Sequence, residues 1–227
     1  MIKQIAHCGH ATVASFSYLN QIGEITNRHS SKETIDGNRD IILENGMAYM
    51  EQKPQFFKEI DDQVITDVMT SIGLEVSDLK DEFKPVITNT GVSFMIIPLK
   101  DKSKLASIKT DLDAINAISE KYDLIGFYAF SDDAFDQGHD YTTRMFAPRY
   151  AIPEEPATGM AAGNLSYYLF DKMDVKADEI VIEQGYFMSP KSKSEIIVKL
   201  NHNGKELTNI MAGGRAKVMK EMEVVLD

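Results

Sequence analysis

The sequence predicts an α+β fold in which strands follow one another in series and helices lie between groups of strands. Three observations lead to this expectation. Apolar residues recur three and four positions apart in a few stretches, which is the helical period. Many other short runs are rich in β-branched and aromatic residues and are bounded by Gly, Pro, Asn or Asp. Finally, two of the helical patterns begin after similar glycine turns, at Gly9 and at Gly159.

The first third of the chain predicts a helix, a strand pair and a second helix. Val13, Phe16 and Leu19 lie three residues apart and indicate the first helix, with Gly23 just beyond its end. Asn-Gly is favoured in tight hairpin turns and indicates the strand pair. The expected elements are a helix at 10–21, strands at 39–43 and 47–50 around Asn45-Gly46, and a helix that begins at Asp61-Asp62 and stops at Gly73.

The rest of the chain predicts mainly strands, with two short helices near residues 105 and 112. Thr110 and Asp113 have the spacing of a capping box, so we expect the second of these helices to begin at Thr110. Another helix follows Gly159. The expected strands are 84–91, 92–99, 124–130, 140–146, 179–183, 194–200, 205–211 and a closing strand at 216–225.

Composition and charge are those of a soluble globular protein and exclude several classes. The 227 residues can form one large domain or two of about 100 residues. No apolar run approaches the roughly 20 residues that cross a bilayer, and no secretory signal pattern opens the chain. A single cysteine, Cys8, fits a reducing cytoplasm. The net charge of −11 argues against nucleic acid or an anionic membrane as partner.

The stretch from Arg144 to Leu169 is where we expect the chemistry. It runs from a strand, through a turn rich in Pro and carboxylates, into a helix that starts after Thr158. The N–H groups of a first helical turn have no partner within the helix, so they attract a carboxylate or a phosphate. The stretch therefore predicts an anion-binding helix start.

The two glycine turns resemble each other. The segments 8–19 and 157–169 each have a glycine turn, then small residues, then an apolar helix that ends near Ser-Tyr. A Glu-x-Gly turn follows a strand both at Glu44 and at Glu183. Two related halves with facing helix starts would place backbone donors on both sides of one cleft. Chance is the alternative explanation of so short a repeat.

Three motifs occur in order along the chain, namely Cys8-Gly-His-Ala-Thr12, Glu154-Glu-Pro-Ala-Thr-Gly159 and Glu183-Gln-Gly185. Together they resemble the motifs of the phenazine-biosynthesis PhzF-like family of isomerases, which shares the two-lobed diaminopimelate epimerase fold. The likeness covers nearly the whole chain. It implies two lobes, each a barrel or sheet of strands around a central helix, with the active site between them. Residues 1–84 with 214–227 would form the first lobe, and 85–213 the second.

The resemblance implies a cofactor-independent isomerase or epimerase that moves a proton on a small carboxylate-bearing metabolite. By the matching motifs, His10 and Glu155 would handle protons. Neither a metal nor a cofactor is implied. The residues that would bind the substrate carboxylate are Gly9, Thr158, Gly159, Met160 and Ala161.

The chain departs from the family pattern in three places. Glu155 stands where the family has Asp, and Met160 stands where it has Ser, so an acid is lengthened and a hydroxyl is lost. The chain also begins almost at the Cys8 motif, so we expect the family's opening segment, with the glutamate that moves the proton, to be missing. The alternatives are therefore a catalytically impaired relative that binds a small carboxylate without turnover, and a start codon assigned inside a longer gene.

A truncated first lobe would have open sheet edges, so we expect a homodimer. Two-thiol racemisation, known in the same fold, is excluded because Thr158 stands where the partner of Cys8 would be. His10 could instead be a helix-start histidine bonded to backbone. Glu154 and Glu155 could form a coupled acid pair, or one of them could be bonded elsewhere. Metal binding by neighbouring His7, Cys8 and His10 is disfavoured, because one turn seldom completes a tetrahedral site.

Overall fold

The computed structural model describes residues 9–34 and 37–223 and has the expected α+β composition. Within these residues there are five α-helices and twelve strands. The helices are α1 (Gly9–Gln21), α2 (Asp62–Ser71), α3 (Lys102–Ser107), α4 (Leu112–Tyr122) and α5 (Gly159–Lys172). The strands are β1 (His29–Thr34), β2 (Gly37–Glu44), β3 (Met47–Gln52), β4 (Phe56–Glu59), β5 (Val86–Asn89), β6 (Ser93–Pro98), β7 (Gly126–Ser131), β8 (Tyr141–Ala147), β9 (Ile152–Glu155), β10 (Glu179–Gln184), β11 (Ser194–His202) and β12 (Leu207–Gly214).

The described strands form one mixed sheet. Their order is β1-β2-β3-β12-β11-β10-β8-β7-β6-β5-β4, and β9 pairs with β8 outside this path. The pairs β8/β10 and β6/β7 are parallel, and the others are antiparallel. Since β12 pairs with β3, the end of the chain returns to strands of its first third. The sheet is continuous across the expected lobe boundary, and the division into two lobes stays a prediction.

Helix α5 lies at the centre of the larger hydrophobic core. Its Ala161, Leu165 and Leu169 are fully buried. The helix packs against β5 and β6, and also against β11 and β12, which lie further along the strand order. The sheet therefore curves around the helix. Successive residues of a strand point to opposite faces. Accordingly, Phe94 of β6 faces the core around α5, whereas Met95 faces a second core that α2, α3 and α4 cover.

Most of the expected elements are confirmed, and the turn residues explain why. The helix expected at 10–21 is α1, and Gly23, just beyond it, has a φ of 80°. The expected hairpin turn joins β2 to β3, with φ of 53° at Asn45 and 74° at Gly46. Gly73, which follows α2, has a φ of 71°. Left-handed backbone of this kind is readily adopted by Gly and Asn and ends helices or closes hairpins.

Three expectations are wrong. Helix α4 is capped by Asp111, whose side chain accepts from the Ala114 amide, and not by Thr110. Residues 216–223 form no strand, and they could not pair with the preceding β12 because β3 and β11 occupy both of its sides. Strands β1, β4 and β9 were not expected. Of these, β1 has the sequence His-Ser-Ser-Lys-Glu-Thr, which has no apolar alternation, and it lies at the edge of the sheet.

Candidate active site

The first residues of α1 and α5 lie next to each other. A Cβ atom on Gly9 would be 3.3 Å from the Cγ atom of Met160 and 3.2 Å from the Cε atom of Met50, so glycine permits this close approach. The Thr158 side chain makes no capping bond to α5. The amide groups and the positive dipole ends of two helices are therefore concentrated at one cleft.

A cavity of about 230 Å³ lies at this junction. Pockets for drug-sized ligands have volumes of about 300–1,000 Å³, so this cavity suits a small molecule. The ionisable residues in its walls are His10, Glu155 and Tyr150. Its remaining walls are largely apolar, with contributions from Val92, Phe94, Ile125, Met145, Ile152 and Met160.

His10 and Glu155 face each other across the junction although they are far apart in sequence. The Nδ1 atom of His10, in the first turn of α1, is 3.6 Å from the Oε1 atom of Glu155, the last residue of β9. Thr158 Oγ1 donates a hydrogen bond of 2.9 Å to the other carboxylate oxygen, Oε2. The histidine side chain is 52% exposed and the carboxylate 22%. A proton donor and a proton acceptor therefore stand together at the cavity.

The Glu155 carboxylate raises the pKa of His10 above its ordinary value of 6.5. Partial burial opposes this rise, and a hydrogen bond with the backbone of Ala157 adds to it. A raised pKa increases the fraction of imidazolium near neutral pH. His10 can therefore donate a proton where Glu155 can accept one.

We expect Glu155→Gln to lower the pKa of His10 towards 6.5, because the amide carries no charge. The raised pKa stabilises the fold below the unfolded-state value, and this contribution is lost as the pH rises through the folded-state value. The wild type should therefore lose stability relative to Glu155→Gln as the pH rises above the ordinary histidine pKa of 6.5. NMR titration of His10 and urea unfolding measure the two effects. Glu206→Gln, at an exposed hairpin carboxylate, is the control, and an unchanged His10 pKa in Glu155→Gln would contradict the pairing.

Glu154, the neighbour of Glu155 on β9, is engaged elsewhere. Arg144 holds it with two hydrogen bonds, from Nε to Oε1 at 2.9 Å and from Nη2 to Oε2 at 2.7 Å. The same arginine donates from Nη1 to the Leu105 carbonyl at 3.0 Å. Adjacent strand residues point to opposite faces, so only Glu155 reaches His10. The contacts therefore favour the alternative in which one of the two acids is bonded elsewhere.

Gln184 holds the turn that carries Glu155 and Thr158, and sequence reasoning missed this role. The fully buried Gln184 side chain accepts from the Thr158 amide and from the Tyr128 hydroxyl, both at 3.1 Å. Its Nε2 donates to the Glu155 carbonyl at 2.6 Å and to Thr158 Oγ1 at 3.0 Å. The only sequence signal was its position in the Glu183-Gln-Gly185 motif, which indicates a turn but no partner.

We expect Gln184→Leu to destabilise the protein by at least about 2 kcal/mol, since the buried Thr158 amide and Tyr128 hydroxyl would lose their acceptor. Urea unfolding measures the change. The matched control is Gln63→Leu on α2, where the glutamine is exposed and bonds only Asp67. A change below about 0.5 kcal/mol in Gln184→Leu, as at an ordinary surface position, would show that the network does not hold the turn.

A second buried network fixes the start of α5. Gln52 of β3 donates from Nε2 to the Gly159 carbonyl at 2.8 Å and accepts at Oε1 from the Thr90 hydroxyl at 2.8 Å. Asn164 donates to the same hydroxyl oxygen at 2.9 Å and accepts from Thr88 at 2.7 Å. Each of these four polar side chains is buried. The Gly159 carbonyl, in the first turn of α5, is therefore hydrogen-bonded to β3. Gln52 connects it through Thr90 to the end of β5.

The structure brings most of the expected site residues together. Gly9, Thr158, Gly159 and Met160 line the cavity together with the two proton-handling candidates. Ala161 does not line it, because its side chain points into the core around α5 and is fully buried. Their roles in substrate binding stay predictions. His7 and Cys8 lie outside the described residues, as do the expectations that depend on them.

Among the described residues, one cluster has the composition of a metal site, namely Asp136, His139 and Glu183, whose ligand atoms lie within 4.8 Å of one another. The buried Glu183 carboxylate already accepts from the Phe135 and Asp136 amides, and His139 Nδ1 is 2.9 Å from it. These internal contacts account for the cluster, and we assign no metal to it. The helices in the described residues are also too short or too polar to cross a membrane.

Comparison with known proteins identifies the family. The sequence model described as phenazine biosynthesis-like protein matches residues 2–222. An uncharacterised isomerase of Clostridium acetobutylicum is 26% identical, over 99% of this chain and 77% of that protein. The uncharacterised isomerase YddE of Escherichia coli is 24% identical with the same coverage. The family match begins at residue 2 and gives no support to the expected loss of an opening segment.

Solved structures share the fold. A PhzF-family phenazine biosynthesis protein of Bacillus anthracis superposes with a TM-score of 0.80 at 24% identity, over 98% of this chain and 77% of that one. A predicted epimerase of Pseudomonas aeruginosa gives a TM-score of 0.74 at 18% identity, over 99% and 77%. The family match over nearly the whole chain agrees with the three motifs at Cys8, Glu154 and Glu183. The chain belongs to the phenazine biosynthesis-like protein family.

Proposed function

We propose that this protein is an isomerase that moves a proton on a small carboxylate-bearing metabolite without a cofactor. The observation that carries the proposal is the His10–Glu155 pair, 3.6 Å apart, at a cavity next to two helix starts. The names of the relatives support it, since those in Clostridium acetobutylicum and Escherichia coli are named isomerases. The structural neighbour from Pseudomonas aeruginosa is named a predicted epimerase.

The substrate carboxylate lies against the first-turn amides of α1 and α5. These donors stabilise the negative charge that spreads into the carboxylate when a neighbouring C–H bond loses its proton. The charge exists only after deprotonation, so the donors favour the transition state over the ground state. Gly9 and Gly159 suit this role, because neither places a side chain between the amides and the ligand.

Glu155 accepts the proton from carbon, and His10 delivers a proton to the resulting carbanion at a second position. The electron pair of the broken C–H bond moves into the conjugated system and then forms the new C–H bond. The raised pKa of His10 increases the fraction of the side chain that carries the proton to be delivered. The hydrogen bond from Thr158 Oγ1 orients the Glu155 carboxylate towards the cavity.

The largely apolar walls contribute in two ways. They exclude water from the reacting carbon, and they strengthen electrostatic interactions at the site because the local dielectric constant is low. The volume of about 230 Å³ limits the molecule that fits between Phe94, Met145 and Ile152. The best-fitting substrate therefore has a small apolar body and a carboxylate at the helix starts.

Solvent deuterium exchange tests the proposal. The protein is incubated in D₂O with a panel of small carboxylates that have an acidic C–H bond or a neighbouring double bond, and mass spectrometry follows incorporation. We expect one deuterium to enter at least one panel member in each turnover. Glu155 removes a proton from one carbon, and His10, which exchanges its proton with D₂O, delivers a deuteron to the second carbon. A protein that is folded by circular dichroism and exchanges no panel member would contradict catalysis. Binding without exchange would instead favour the alternative, a relative that binds a carboxylate without turnover.

A further inference from the structure

A second opening adjoins the cavity on the other side of the helix starts. It has a volume of about 460 Å³ and shares Gly9, His10, Ala157, Gly159 and Met160 with the cavity. Its outer walls come from the start of β11, the end of β12 and the irregular segment after β12. A molecule bound beside His10 can therefore extend into it. We call this opening the basic groove, defined by its cationic residues Lys193, Arg215 and Lys217.

The charge of the basic groove is opposite to that of the protein. The chain has 24 Lys and Arg against 35 Asp and Glu, yet Glu195 is the single carboxylate residue in the groove walls beside three cations. The Glu195 carboxylate is 2.9 Å from His139 Nε2, which directs it to a residue outside the groove. The groove therefore has a positive potential next to the proposed reaction site.

Local contacts position these cations and leave them accessible. Arg215 donates from Nη2 to the Asn45 carbonyl in the hairpin between β2 and β3. The Nζ atom of Lys193 lies 4.5 Å from the centre of the Tyr186 ring and 3.9 Å from the Oδ2 atom of Asp136, and its side chain is 51% exposed. Within the described residues no carboxylate lies at ion-pair distance from Lys217, which is exposed. Among the described residues, an anion bound here would compete with Asp136 for Lys193, but that contact is long and the Asp136 carboxylate also accepts from the Tyr186 hydroxyl.

The two openings differ in character. The ionisable side chains of the cavity are those of His10, Glu155 and Tyr150, whereas the groove has an excess of positive charge. The helix starts alone can bind the single anionic group of a monoanion. A monoanion would therefore leave the three cations of the groove without an anionic partner from the ligand. We propose that the substrate is a dianion whose second anionic group, a carboxylate or a phosphate, binds in the basic groove. This inference rests on the proposed function and narrows its substrate class.

Binding of matched pairs tests the inference without requiring turnover. Valerate is compared with glutarate, and hexanoate with adipate, so that each pair has the same number of carbon atoms and differs in one anionic group. 4-Phosphonobutyrate tests a phosphorus-based anion in the same place. Dissociation constants come from calorimetry or ligand-detected NMR at low ionic strength. We expect each dianion to bind about tenfold more tightly than its monoanion, and the difference to shrink in 0.5 M salt, where the Debye length is only about 4 Å.

Variants locate the second anionic group. The double variant Lys193→Ala/Lys217→Ala should remove most of the difference between glutarate and valerate. Lys205→Ala, in the exposed hairpin before β12, is the matched control and should keep the difference. Equal affinities within each pair, no detectable binding of any probe, or an unchanged preference in the double variant would each overturn the inference. Deuterium exchange on monocarboxylates would be unaffected by that result, so the failure of the inference and the failure of the proposed function are distinguishable.

Discussion

Replacing His10 by Asn is expected to lower the rate of solvent proton exchange by roughly 10²–10⁴-fold, the usual contribution of a general acid or base. Asparagine is polar and of similar size, but it cannot carry a proton between the solvent and the substrate. The imidazole is about half exposed, so the substitution should change the stability of the fold only slightly. Mass spectrometry of the exchanging carboxylate measures the effect on the rate.

Control variants separate the loss of catalysis in His10→Asn from effects on folding and on charge. His29→Asn is the matched control, because His29 is exposed on the edge strand β1. Glu155→Gln should lower the exchange rate by a similar factor. The double variant should be little slower than either single variant, because groups that act as a unit have non-additive effects. If His10→Asn exchanges protons at the wild-type rate, His10 is only a helix-start histidine and the proposed mechanism is wrong.

The sequence pattern predicted the two helix starts, and the resemblance to the family implied that they meet at one site. The glycine turns at Gly9 and Gly159 are local signals, since the residues that begin each helix are adjacent in sequence. The similarity of segments 8–19 and 157–169 was consistent with facing starts but left chance as an alternative, and Gly9 does approach Met160. The resemblance to the family indicated His10 and Glu155, which the fold brings to 3.6 Å.

What the sequence could not give is mostly non-local. Gln184 and Gln52 hold the turn and the helix start through partners that are 26 to 107 residues away in sequence. A buried glutamine has no sequence signature that distinguishes it from an exposed one. Strand β1 forms because β2 offers it a free edge, although its own residues favour no strand. The basic groove combines residues from both ends of the chain, so its charge appears only after folding.

The fit between Gly163 and Gln52 predicts a large effect on stability. A Cβ atom on Gly163 would lie 2.2 Å from Gln52 Oε1 and 2.5 Å from its Cδ atom. Gln52 cannot simply rotate away, because it bonds the Gly159 carbonyl and the Thr90 hydroxyl in a buried site. Helix propensity alone would favour alanine here by about 1 kcal/mol. The steric cost of about 1–3 kcal/mol and the loss of buried hydrogen bonds, about 1–3 kcal/mol per group, are together larger.

We therefore expect Gly163→Ala to lower the free energy of unfolding by about 3 kcal/mol, which for a chain of this length lowers the Tm by about 6–12 °C. Gly159→Ala in the same helix is the matched control, because its Cβ atom would meet only Ala212 at 4.0 Å. In the background of Gln52→Ala, which removes the colliding atoms, Gly163→Ala should cost much less, and a double-mutant cycle measures this coupling. A Tm at or above that of the wild type would mean that Gln52 yields easily. In that case the start of α5 would not depend on this contact, whereas a lowered Tm with strong coupling would show that a buried glutamine from β3 holds the first turn of α5 rigid.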